Sequence, residues 1–392
     1  MNRFKIILGA CGIHLCIGSV YSWSVLTHPI MELTGWQLTN VTFAFSLAIL
    51  FLGLSAGFLG HKVQEWGVRK SGEIATACFV TGLLGSALAL IVKSITLLYI
   101  CYGFIGGIGL GIGYITPVAT LLKVFPEKKG FAGGCAVMSF GFASMIAGPL
   151  MQYLNANFGV IHTLCIMAIV YNVIMLTSVG LIYHNLPYNM VNNRYAAELE
   201  NVHEINEATK TVNFALLWTI FFINISCGIA LLSIASPMAE HIGMNAVEAA
   251  GMVGVIGLIN GGGRIFFASI SDYIGRGITY SLFFLIEIIA FYMLISVDNI
   301  LLFQSIIFVI VACYGGGFSC MPAYIADIFG TKNLSAIHGR ILTAWGIAGI
   351  VGPLVITNIY EIFGNYSIAL GLFSGLFALS FILSVILIKH NR

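Results

Sequence analysis

The sequence is short of charge. Its 392 residues include 17 Lys and Arg and 15 Asp and Glu, so that 8% are charged, against about 25% in ordinary soluble domains. With so little polar surface the chain cannot wrap the two or three water-facing domains its length would otherwise suggest. A formal net charge of +2, with no basic cluster on one face, argues against a nucleic-acid partner. The nine cysteines form no CxxC pair and all lie in apolar runs. Neither a disulfide framework nor a zinc site is implied, and small residues packed in a membrane account for them. HExxH, GxSxG and paired-carboxylate constellations are also missing, so neither an enzyme nor a cofactor or metal is expected.

What is abundant is hydrophobicity, at 59% of residues. A membrane-crossing helix needs roughly 20 mostly apolar residues. Candidates fall at 5–27, 39–60, 72–93, 95–121, 132–155 and 160–183, then at 212–236, 246–268, 277–297, 300–326, 337–360 and 365–388. They are numbered here as spans 1 to 12. The expected fold is an all-α polytopic membrane protein with twelve transmembrane helices in two six-helix bundles, 1–183 and 212–392. Between them lies a polar interval, 184–211, carrying Glu198, Glu200, Glu204 and Glu207 with Arg194 and Lys210. It reads as a partly helical tether. The opening MNRFKIILGACGIHLCIG has the basic start of a signal peptide, but no small-residue cleavage site precedes a polar stretch. It reads as a span that stays in place.

Basic residues orient the bundle. Arg3, Lys5, Lys62, Arg69, Lys70, Lys123, Lys128, Lys129, Arg194, Lys210, Arg276, Lys332, Arg340, Lys389 and Arg392 fall on one side, and Lys93 alone on the other. The positive-inside rule makes the first side, with both termini, cytoplasmic. The lipid bilayer of a cell membrane, naturally a bacterial inner membrane, is then the chief partner. No obligate protein partner is implied.

The two halves echo each other, as duplication-built transporters do. Gly148-Pro149-Leu150 in span 5 recurs as Gly352-Pro353-Leu354 in span 11. Span 4 carries Gly106, Gly107, Gly109, Gly111 and Gly113 before Tyr114 and Pro117; span 10 carries Gly315, Gly316 and Gly317 before Phe318 and Pro322. The GxGxG within span 4 has no preceding strand and no Gly-Lys-Ser/Thr, so close helix packing explains it better than a nucleotide. Loop 2–3 reads GHKVQEWGVRK and loop 8–9 reads ASISDYIGRG.

On these residues the chain resembles the major facilitator superfamily. In loop 2–3, Gly67, Arg69 and Lys70 match the superfamily's signature while Gln64 stands where an Asp is usual; Asp272, Gly275 and Arg276 match in the second half. The resemblance makes Arg69, Lys70, Asp272 and Arg276 gating residues and implies a weaker latch at Gln64. Tyr21-Ser-Trp23, GIGYITPVATLLKVFPEKKG, SIASPM, NGGGRIFFASISDYIGR and DIFGT are similar to the oxalate/formate antiporter subfamily across essentially the whole chain.

One basic residue belongs to neither side. Arg264 precedes Asp272 by eight residues, about 12 Å along a helix, which places it near the middle of a roughly 30 Å hydrocarbon core. A charge there must face the bundle interior, and a planar guanidinium suits bidentate pairing with a carboxylate. The resemblance makes Arg264 the substrate-binding arginine, with Tyr21, Tyr114, Tyr314 and Phe318 at positions of the family's aromatic cage. Trp345 adds a fifth ring and stands where the family's oxalate carrier has a second cation; Val20 replaces a glutamine. One cation balances a monoanion, so a monocarboxylate such as formate, lactate or pyruvate is expected over oxalate.

Glu287 in the middle of span 9, with His14 in span 1 and His338 at the start of span 11, are the candidates for any proton coupling. Asp327 falls at a helix end. The expected activity is transport of small organic carboxylates by alternating access, as anion exchange. A proton-coupled symporter and a non-transporting membrane sensor are the alternatives.

Overall fold

The computed structural model describes residues 2–187 and 202–391. Span 1 comprises α1 (Arg3–Ile17), a 3-10 segment (Gly18–Ser22) and α2 (Trp23–Thr34). Spans 2 and 3 are two helices, together labelled α3 (Leu38–Ile91), that meet without a loop at Gly67 (φ 70°, ψ 174°). Span 4 is α4 (Ile95–Leu98), a π segment (Tyr99–Gly106) and α5 (Gly107–Val124). Spans 5 and 6 are α6 (Lys129–Asn185), broken at Gly159. A short α7 (Val202–Lys210) precedes α8 (Val212–His241), α9 (Ala246–Ile274), α10 (Arg276–Leu294), α11 (Ile300–Phe329), α12 (Leu334–Phe363) and α13 (Ser367–His390), which are spans 7 to 12. Among the described residues, ten helices are long and apolar enough to cross a membrane; two of them, of 52 and 57 residues, are long enough to cross twice. The chain is therefore the expected all-α polytopic fold. Of the expected tether, residues 188–201, with Arg194, Glu198 and Glu200, lie outside the described residues.

Helical backbone extends beyond the apolar runs that announce the spans, up to the glycines at which the chain turns. Glycines at positive φ turn the chain at Gly67, Gly159, Gly275, Gly330 and Gly364, where a side chain would be strained. Pro29, Pro117, Pro149, Pro322 and Pro353 lie inside helices, which neighbouring helices make tolerable in a membrane.

Packing rests on small residues, as expected where lipid removes the hydrophobic drive between helices. The span 4 glycines wedge α5 into α3: a Cβ on Gly109 would lie 2.6 Å from the Phe79 nitrogen, and one on Gly111 2.4 Å from the Leu52 carbonyl. The two halves meet along two seams. In one, Gly53, Gly57 and Gly60 of α3 face Gly346, Thr343 and Ser335 of α12, respectively. In the other, Gly130, Gly134 and Gly141 of α6 face Ala268, Ile265 and Gly261 of α9. Both lie toward the face that carries the chain ends, called here the basic face. Farther along α9, Gly251 and Gly254 are exposed and have nothing within 4 Å of a Cβ.

Candidate functional site

Glycines make room for one arginine. A Cβ on Gly315 of α11 would sit 3.1 Å from Arg264 Cγ, and one on Gly141 of α6 would sit 3.2 Å from its Nε. The side chain runs in this slot, fully buried. Its Nε donates to Asn260 Oδ1 at 3.1 Å and its Nη1 to the Val137 carbonyl at 3.0 Å, while Ser319 Oγ donates to the Arg264 carbonyl at 2.6 Å. The guanidinium lies over the rings of Phe318 (5.0 Å) and Phe140 (5.8 Å). Among the described residues no carboxylate forms an ion pair with Arg264, and Nη2 has no hydrogen-bond partner. A buried cation held by neutral groups alone costs several kcal/mol relative to water, roughly. Cation–π contacts offset part of that.

Around it the structure gathers the five rings singled out in the sequence. Phe318 packs edge-on to Trp345 (4.8 Å between centroids) and to Tyr314 (5.3 Å); Tyr114 packs on Trp345 (5.4 Å). Tyr21 joins them through Phe140, 5.4 Å away. The Tyr21 and Tyr114 hydroxyls and Trp345 Nε1 are buried without hydrogen-bond partners among the described residues. With Arg264 Nη2 they line the rings with N–H and O–H groups, the Tyr21 hydroxyl lying beside Arg264 and Trp345. That array can hold an anion.

Phe140 and Asn260 were not among the expected residues. Phe140 touches Tyr21, Tyr114, Trp345 and the guanidinium, yet nothing marks it among 28 phenylalanines. Asn260 carried a signal: it is polar, in an apolar span, one helical turn before Arg264.

The remaining candidates fall in two groups. His14 stacks on Tyr114 at 5.0 Å and His338 lies 6.0 Å from the same ring. Glu287 is fully buried on α10, where Asn224 Nδ2 donates to it at 3.3 Å; it makes none of the ring contacts above. At the basic face Asp272 accepts from the backbone nitrogens of Gly130 and Phe131, both at 2.9 Å, and pairs with Arg276. Asp327 receives Lys129 Nζ at 2.9 Å and Arg276 Nε at 3.4 Å. Arg69 pairs with Glu73 within α3, and Lys70 lies over Trp66. The Glu73 carboxylate raises the pKa of Arg69, chiefly through its hydrogen bond.

The profile of the Major Facilitator Superfamily matches residues 8–353. The chain belongs to the major facilitator superfamily. Within the superfamily it is 26% identical over 354 residues to the oxalate:formate antiporter of Oxalobacter formigenes, covering 90% of this chain and 83% of that one. It is 23% identical over 351 residues to the uncharacterized MFS-type transporter YhjX of Escherichia coli strain K12, covering 89% and 86%. In fold it is similar to the crystal structure of the E. coli fucose:proton symporter, with a TM-score of 0.77 at 14% identity over 99% of both chains.

Proposed function

We propose that this transporter carries small organic carboxylates, monocarboxylates such as formate, lactate or pyruvate in preference to oxalate, by exchange through alternating access. The observation that carries the reading is Arg264, buried, without a counter-ion among the described residues and with Nη2 unpartnered among aromatic rings. A carboxylate arriving there supplies the missing charge and accepts from Nη2, with the Tyr21 hydroxyl and Trp345 Nε1 as further donors. Exchange follows because reorienting the site with an uncompensated charge is costly. The likeness to an oxalate:formate antiporter supports the class of substrate. The indole of Trp345 in place of a second cation supports the monoanion.

In this reading residues 1–183 and 212–392 rock about the site, and Asp272, Arg276 and the turn holding Arg69 and Lys70 act as the gate. With the basic face cytoplasmic, the seams described above close the inner side. Proton-coupled symport is the second reading; it draws on Glu287, a buried acid whose Oε1 has no partner among the described residues.

Uptake of labelled formate, lactate, pyruvate and oxalate into proteoliposomes, empty or preloaded with each anion at clamped pH, tests this. Exchange of a monocarboxylate that is abolished in Arg264→Gln is the expected result. Preference for oxalate overturns the monoanion argument. Uptake into empty vesicles driven by an inward proton gradient replaces exchange with symport.

A further inference from the structure

A second polar layer lies beneath the Arg264 site. His338 is seven residues before Trp345 on α12 and His14 seven before Tyr21 on span 1. His338 is thus about 10 Å, two helical turns, nearer the basic face and on the same side of its helix, and His14 likewise lies nearer that face than Tyr21, before the 3-10 segment. His338 is 1% exposed and His14 0%. Neither ring nitrogen of His338 has a hydrogen-bond partner among the described residues. His14 Nε2 lies 3.1 Å from the Tyr114 carbonyl, to which it donates in its Nε2–H tautomer. Tyr114, whose hydroxyl is unpartnered, stacks on His14, neighbours His338 and also packs on Trp345. It is the ring common to both layers.

Leaving a buried polar group unpaired costs about 1–3 kcal/mol, and His338 leaves two. The location gives that cost a use. His338 belongs to one half and His14 and Tyr114 to the other, so the layer straddles the α3–α12 side of the central path. From the basic face, a solute parting that seam meets His338 before Arg264.

We infer that His338 and the Tyr114 hydroxyl form a second station for the transported carboxylate, between the Arg264 site and the basic face. His338 donates an imidazole N–H to a carboxylate oxygen and Tyr114 donates its hydroxyl, while His14 fixes the Tyr114 ring. Handing the anion between two shallow sites avoids releasing it from Arg264 directly into the closed seam. The inference rests on the carboxylate reading of Arg264.

His338→Phe and His338→Gln test it, with labelled-carboxylate binding to purified protein measured beside exchange in proteoliposomes. His338→Phe is expected to keep binding within about twofold and to slow exchange roughly tenfold or more. His338→Gln, which keeps an N–H donor, is expected to restore most of the rate. Unchanged exchange in His338→Phe, or parallel loss of binding and exchange, overturns the station. So does failure of His338→Gln to rescue a protein that still binds. If the unmodified protein neither binds nor exchanges any carboxylate, the reading of Arg264 fails and the station with it, an outcome distinct from the others.

Discussion

The two seams that join the halves are packed alike and charged differently. Each brings a glycine against a backbone carbonyl: a Cβ on Gly339 would lie 1.8 Å from the Ala56 oxygen, and one on Gly130 2.2 Å from the Ala268 oxygen. At the basic end of the α6–α9 seam, both Asp272 oxygens accept from the first turn of α6, and Arg276, Asp327 and Lys129 extend the network. A carboxylate there complements the partial positive charge of a helix N-terminus. At the matching point of the α3–α12 seam, the Gln64 amide donates to the Lys332 carbonyl and its own oxygen has no partner among the described residues. Gln64 is neutral and brings no anion to the start of α12, whereas Asp272 brings one to the start of α6. On that electrostatic difference alone, the α3–α12 seam is the easier one to part.

The largest effect tests the packing that the seams share. Gly339→Val places atoms where the Ala56 carbonyl stands, and overpacking of this kind costs about 3 kcal/mol or more. Spin-label distances across α3 and α12 at the basic end should lengthen and exchange should fall roughly 100-fold; unchanged distances would show that the seam has slack. Next comes the charge that distinguishes them. Asp272→Asn removes charge-assisted hydrogen bonds worth about 1.5–3 kcal/mol, so the α6–α9 seam should open about 10- to 100-fold more often by the same labels. An equilibrium that does not move would leave packing alone in command. The smallest effect comes from equalising the seams. Gln64→Asp should cap α12 for about 0.3–1 kcal/mol and slow exchange about two- to fivefold; faster exchange would reverse the proposed order of opening.

The sequence carries this architecture legibly wherever one physical cost dominates. Residues that cross lipid must be apolar in long runs, so the spans could be counted, and a charge within a run must turn inward, so Arg264 stood out. Helix ends were harder. The polar stretch around Lys62 to Lys70 reads as a loop, yet the helices of spans 2 and 3 meet within it at Gly67, because hydrophobicity reports the bilayer's edge and not the last hydrogen bond. Tyr21, Tyr114, Tyr314, Phe318 and Trp345 could be picked out only by resemblance. Phe140 could not, since in an aromatic-rich chain one phenylalanine at a core position looks like any other. The idle nitrogens of His338 are a property of its neighbours from several helices, and no local pattern encodes them.

The single-residue breaks at Gly67 and Gly159 have a mechanical consequence. A coil between two spans absorbs torque; a helical elbow passes it on. Spans 2 and 3 meet at Gly67 and spans 5 and 6 at Gly159 with no loop between them, so a tilt of the seam-forming span 2 or 5 reaches its neighbour through the two dihedral angles of one residue. The stiffness of those two elbows sets how much of a motion at a seam reaches the outer helices of the N-terminal half.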